Sequence, residues 1–147
     1  MLISGNPEQG IAQALYKLYP DATFMSRSSG HDLVEKSGRE EFAKAALNHD
    51  VIVVNSALWQ FQQTVLLDAV YKSLKDAKKL AHIVVIGSTT DRVKNGKAWL
   101  YNAEKKALRD YSNTLSIGGV WSRMPKVSYI SFGTLSNNEN KHPDRLC

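Results

Sequence analysis

Two short β-branched runs constrain this chain most: Val51-Ile52-Val53-Val54 and Ile83-Val84-Val85-Ile86. Apolar runs of this kind, with no polar alternation, mark strands covered on both faces, as in a parallel sheet. Between them, residues 62–79 carry Val65, Leu66, Ala69, Val70 and Leu74 at three-to-four spacing, the stripe of an amphipathic helix. The same alternation extends in both directions. Residues 1–4 predict a strand, and Ile11, Ala14, Leu15 and Leu18 a helix that Pro20 closes. Residues 22–25 predict a second strand, 26–30 a loop, and 40–47 a helix with Phe42, Ala45 and Ala46 on one side. Further on, residues 101–115 predict a helix and 127–131 a last strand. Strand and helix in turn, without hairpin signals, predict a Rossmann-like α/β fold. Its doubly wound parallel sheet would be the middle of three α/β/α layers.

Composition narrows the function classes. A length of 147 residues fits one domain, expected over residues 1–135. Residues 136–147, rich in Asn with Pro143, are expected to be a loop or disordered tail. The apolar runs fall far short of the roughly 20 residues that cross a bilayer. No secretory leader is expected, because the first residues lack a basic lead and a long apolar centre. The single cysteine, Cys147, allows no internal disulfide and fits a reducing, cytoplasmic setting. Lys and Arg number 19 against 14 acids, a net charge of +5 that attracts phosphates. These cations are scattered rather than interleaved with aromatics, which argues against a nucleic-acid partner. His31, His49, His82 and His142 lack metal-ligand spacing, so no metal is expected.

Three constellations carry chemistry. Gly5, Asn6, Gly10 and Ile11 lie between the first strand and the first helix. Glycines there let the backbone approach a pyrophosphate, which the helix N-terminus favours; an ordinary tight turn would use them too. After the second strand stands Arg27, with no acid before Asp32. In dinucleotide folds an arginine at this place accommodates a 2′-phosphate, whereas an acid binds a free 2′-hydroxyl, so NADP(H) is expected over NAD(H). Finally, Ser88 ends the fourth strand, and Tyr101 and Lys105 stand one helical turn apart. An ammonium beside a phenol favours the phenolate, making Tyr101 a usable acid or base, and a serine hydroxyl can hold a carbonyl oxygen.

These residues resemble the short-chain dehydrogenase/reductase family. Tyr101-Asn102-Ala103-Glu104-Lys105-Lys106-Ala107-Leu108 is similar to its YxxxK segment, and Ser88 stands 13 positions before Tyr101, as its catalytic serine does. Ser4-Gly5 and Gly10-Ile11-Ala12 resemble the two ends of its TGxxxGxG turn. Asp32-Leu33 resembles the acidic-apolar pair bordering the adenine, and Asn55-Ser56-Ala57 its NAG-type motif along the cofactor. Phe132-Gly133-Thr134-Leu135 is similar to the PG-x-V segment, which places Leu135 near the nicotinamide.

The resemblance implies an NADP(H)-dependent oxidoreductase acting on a small carbonyl or alcohol. Tyr101 would exchange the proton, Lys105 would bind the nicotinamide ribose, and Ser88 would orient the substrate. Family members commonly pair through two long helices, here 62–79 and 101–115, which implies a homo-oligomer. Trp99, two residues before Tyr101, is the candidate substrate contact, while Trp59 and Trp121 are expected in the core or an interface. The chain also departs from the pattern. Its glycine turn is one residue longer, Ala12 replaces the last glycine, and Phe132 replaces the proline. The shortened interval from Asn55 to Ser88 abbreviates the helix that carries the family's structural asparagine, leaving Gln60 as the substitute. Little chain follows the last strand, so most of the substrate-covering region is absent from this sequence. Those departures keep a second reading open, a non-catalytic nucleotide-binding or interaction module on the same fold.

Overall fold

The computed structural model describes residues 1–56, 58, 60–92, 100–119 and 123–133. Among these residues five strands and four helices alternate: β1 (Leu2–Ser4), α1 (Gly10–Leu18), β2 (Thr23–Met25), α2 (Lys36–Ala46), β3 (Val51–Val54), α3 (Gln62–Asp76), β4 (His82–Ser88), α4 (Leu100–Gly119) and β5 (Lys126–Phe132). All strand pairs are parallel, in the order β2-β1-β3-β4-β5. The fold is a Rossmann-like α/β sheet. Its order is one of the two common doubly wound arrangements. From β2 the chain returns through α2 directly to β3 on the far side of β1, so β2 is an edge strand among the described residues.

Strand periodicity divides the core between the two sheet faces. Leu2, Ile52, Val54, Ile83, Val85 and Val127 meet Phe42 and Ala46 of α2, Leu66, Leu67, Val70 and Leu74 of α3, and Leu108 of α4. On the opposite face Ile3, Val53 and Ile86 meet Ile11 and Leu15 of α1. Three helices therefore cover one face, and α1 alone covers the other among the described elements. Burying one such leucine or phenylalanine contributes about 1.5–3 kcal/mol, so the β-branched strands and the helical stripes specify one another.

β1 and β3 are neighbours whose following segments leave in opposite directions, toward β2 and toward β4. An open α/β sheet forms its ligand crevice at such a switch point, outside the carboxyl ends of the strands.

Candidate active site

The exit from β1 is built around two glycines with positive φ. At Gly5, φ is +151°, and a Cβ there would lie 2.9 Å from Asn55 Nδ2 and 3.0 Å from the Ala12 Cβ. The turn, the loop after β3 and the first turn of α1 therefore converge on a position that only glycine suits. Gly10, at φ +55°, opens α1 and faces free space. Gln9, the N-cap, makes no side-chain cap bond, while Asn6 Oδ1 accepts the Glu8 N–H at 3.0 Å. Buried Ser4 ties the two loops together. Its hydroxyl accepts the Asn55 and Ser56 N–H groups at 2.8 and 3.1 Å and donates to the Val53 carbonyl at 3.4 Å.

Ser88, the last residue of β4, accepts hydrogen bonds at Oγ from the Thr90 hydroxyl and N–H, at 3.1 and 3.3 Å. On α4, Tyr101 is 38% exposed while Lys105 is only 5% exposed, so the phenol faces the opening and the amine lies behind it. The Lys105 Nζ stands 5.5 Å from the Tyr101 ring centroid and donates to Gln63 Oε1 at 2.6 Å. Burial pushes the Lys105 amine down to about 8, against the opposing pull of Glu104. Gln63 is itself anchored by its amide, which donates to the Val54 carbonyl at 3.2 Å and the Ile86 carbonyl at 2.8 Å. One glutamine thus bridges the ends of β3 and β4 to the amine on α4.

The expected substitute Gln60 is not at this place. It precedes α3 with φ 56°, and its N–H donates to Glu104 Oε1 at 2.7 Å. The helix begins at Gln62, so the residue turned inward beneath the strand ends is Gln63. The signal for Gln63 was its place in the first turn after β3, where a buried polar side chain must find partners.

A cleft of about 500 Å³ joins these parts. Of the residues singled out in the sequence, Gly5, Asn6, Gly10, Ile11, Asn55, Ser56, Ser88, Tyr101, Lys105 and Gly133 line it, together with Gln9, Ala12, Ile86, Gly87 and Phe132. Arg27, Asp32 and Leu33 are not in that lining. Arg27 is exposed in a short 3-10 turn after β2. Asp32 Oδ1 accepts the Val34 N–H at 3.1 Å, and the Leu33 side chain is buried in the core. Ala57, Trp59, Trp99, Trp121, Leu135 and the tail 136–147 lie outside the described residues.

No protein-family model matches the chain, and no curated protein matches it in sequence. Solved structures do. The RhlG/NADP active-site complex of Pseudomonas aeruginosa superposes with a TM-score of 0.67 at 18% identity, over 97% of this chain and 66% of that one. The bulky-bulky ketone specific alcohol dehydrogenase of Comamonas testosteroni gives 0.69 at 14% identity, over 98% of this chain and 81% of that one. A short-chain dehydrogenase/reductase from Burkholderia phymatum in complex with NAD gives 0.66 at 15% identity, over 99% and 60%. The chain spans about two thirds or less of the first and third of these proteins. A likeness this wide at so low an identity is one of fold: the chain has the fold of short-chain dehydrogenases/reductases.

Proposed function

We propose that this chain is a nicotinamide-dinucleotide-dependent oxidoreductase of the short-chain dehydrogenase/reductase type, acting on a small carbonyl or alcohol. One observation carries the reading: Ser88, Tyr101 and Lys105 line the same cleft as the glycine turn at the sheet's switch point. The residues present fit a dinucleotide. Gly10 leaves open space at the start of α1, and the uncapped first turn there suits a pyrophosphate. Asn55 and Ser56 would lie along the cofactor, and Lys105 would hold the nicotinamide ribose. When bound, the dinucleotide supplies the hydride for carbonyl reduction or takes it in the reverse direction.

The chain's own residues handle the proton. In reduction, Tyr101 Oη gives its proton to the carbonyl oxygen, and Ser88 Oγ donates a hydrogen bond to that same oxygen. Lys105, largely protonated near pH 7, keeps a positive charge behind the phenol and is itself fixed by Gln63. Ile86 and Phe132 supply apolar walls to the cleft.

Preference for NADP(H) over NAD(H) rests on Arg27, the exposed cation immediately beyond β2, where a 2′-phosphate is met in dinucleotide folds. Thermal unfolding with NADPH and NADH tests both points. Ligand at 100 times its dissociation constant stabilises by about 2.7 kcal/mol. Arg27→Asp is expected to lower the NADPH/NADH affinity ratio at least tenfold; an unchanged ratio removes Arg27 from the cofactor site. Pairing of two copies through α3 and α4, where Val65 and Ile117 are exposed, and a cytoplasmic location belong to the same proposal. No helix among the described residues is long and apolar enough to cross a membrane.

The shortened interval between Asn55 and Ser88 favours a second reading, a module that holds the nucleotide without turnover. Stabilisation by NADPH with no oxidation of it across a ketone and aldehyde panel would select that reading.

A further inference from the structure

A second polar cluster lies behind Ser88, outside the cleft lining. Asp91, in the short 3-10 turn that follows β4, is only 3% exposed. Its Oδ2 accepts the Tyr129 hydroxyl at 2.8 Å and the Ser131 hydroxyl at 3.0 Å, both from β5. Its Oδ1 faces Arg109 Nη1 at 3.9 Å. Arg109 is the next position, four residues on, in the row Tyr101–Lys105–Arg109 along α4. Tyr129 closes the arrangement from the other side. Its phenol packs on the β4 main chain one residue before Ser88. It lies so close over Gly87 that a Cβ there would overlap the phenol.

We propose that Asp91 is a positioning residue: by holding Tyr129 against Gly87 it fixes the strand end that presents Ser88, and through Arg109 it ties that turn to the helix carrying Tyr101 and Lys105. The inference rests on the catalytic reading of Ser88. Three observations converge on it. A buried carboxylate is costly unless it is hydrogen-bonded, so a chain that keeps one here gains something from its partners. Those partners come from β5 and α4, two elements that only the tertiary fold brings to β4. Tyr129, Asp91 and Arg109 link the strand end of the serine to the helix of the tyrosine, and none of the three lines the cleft. Loss of the phenol hydroxyl therefore releases the Ser88 turn from Asp91 while leaving the other cleft-lining side chains in place.

The test uses the full chain with Tyr129→Phe, the milder change, and Asp91→Asn. Hydrogen–deuterium exchange of residues 88–92 is expected to rise at least tenfold in both variants, with NADPH affinity within twofold of wild type. Unchanged exchange in both overturns the proposal. In carbonyl reduction, Tyr129→Phe is expected to lower kcat about tenfold with KM little changed, but to have no further effect in a Ser88→Ala background. A full additional tenfold loss in that background means Tyr129 does not act through Ser88, and overturns it equally. A wild type that turns over no carbonyl refutes the oxidoreductase reading, and the exchange result alone then decides the positioning role.

Discussion

Lys105 is a cation in a place that disfavours cations, and its consequences are measurable at the scale of one residue. Burial lowers its pKa from 10.5 to about 8. Between those values the unfolded chain holds more protons than the folded one, so stability rises with pH across that window. Below pH 8 the full penalty, about 3 kcal/mol, is present; by pH 10.5 it has gone. The stability of Lys105→Met relative to wild type is therefore expected to fall by up to that amount as unfolding is measured from pH 7 to 10.5. Turnover that needs the ammonium is expected to decline above pH about 8. Gln63 answers the same burial from the other side, through its bond to Lys105 and its two bonds to strand-end carbonyls. Gln63→Leu leaves a buried ammonium and two carbonyls without this partner. It is expected to cost about 1.5–3 kcal/mol in denaturant unfolding, the range for a hydrogen bond to a charged group. A loss under 0.5 kcal/mol would show that water or another group takes over.

At the scale of elements, the β1–α1 turn makes the sharpest demand on sequence. Gly5→Ala introduces a Cβ at positive φ, close to Asn55 and Ala12. The expected cost is about 1–3 kcal/mol, with NADPH affinity weakened as Asn55 is pushed aside. Thermal shift with and without NADPH separates the two effects. The elements themselves were legible in the sequence, because strand runs and helical stripes bury complementary faces of one sheet. Val51–Val54 forms the strand its composition predicts, and Gly10–Leu18 the helix that ends before Pro20. What was not legible depends on where a helix begins. Gln60 and Phe61 adopt left-handed φ values of 56° and 61°, and that detail brings Gln63 rather than Gln60 under Lys105. Asp91 escaped for a different reason. Its partners Tyr129 and Ser131 lie 38 and 40 residues away, and no local pattern joins them.

At the scale of the whole molecule, the fold persists where the sequence has diverged. Superposition over 97–99% of the chain at 14–18% identity means that pattern, not residue identity, maintains this sheet. The residues with chemistry, Ser88, Tyr101 and Lys105, meet at one cleft only because β4 and α4 bring the ends of distant segments together. The surplus of cations reads differently in this setting. Among the described residues the other lysines are exposed or half-buried, while Lys105, buried in the site, is set apart by its environment. The proposed reductase activity of this site can be measured directly. Oxidation of NADPH with a panel of small ketones and aldehydes, by wild type and by Tyr101→Phe, tests it most directly. Turnover by wild type is expected, with Tyr101→Phe slower by a factor of about 10²–10⁴, the range for a lost general acid, and still stabilised by NADPH. Equal inactivity of the two proteins across the panel would refute it, whether or not NADPH stabilises them.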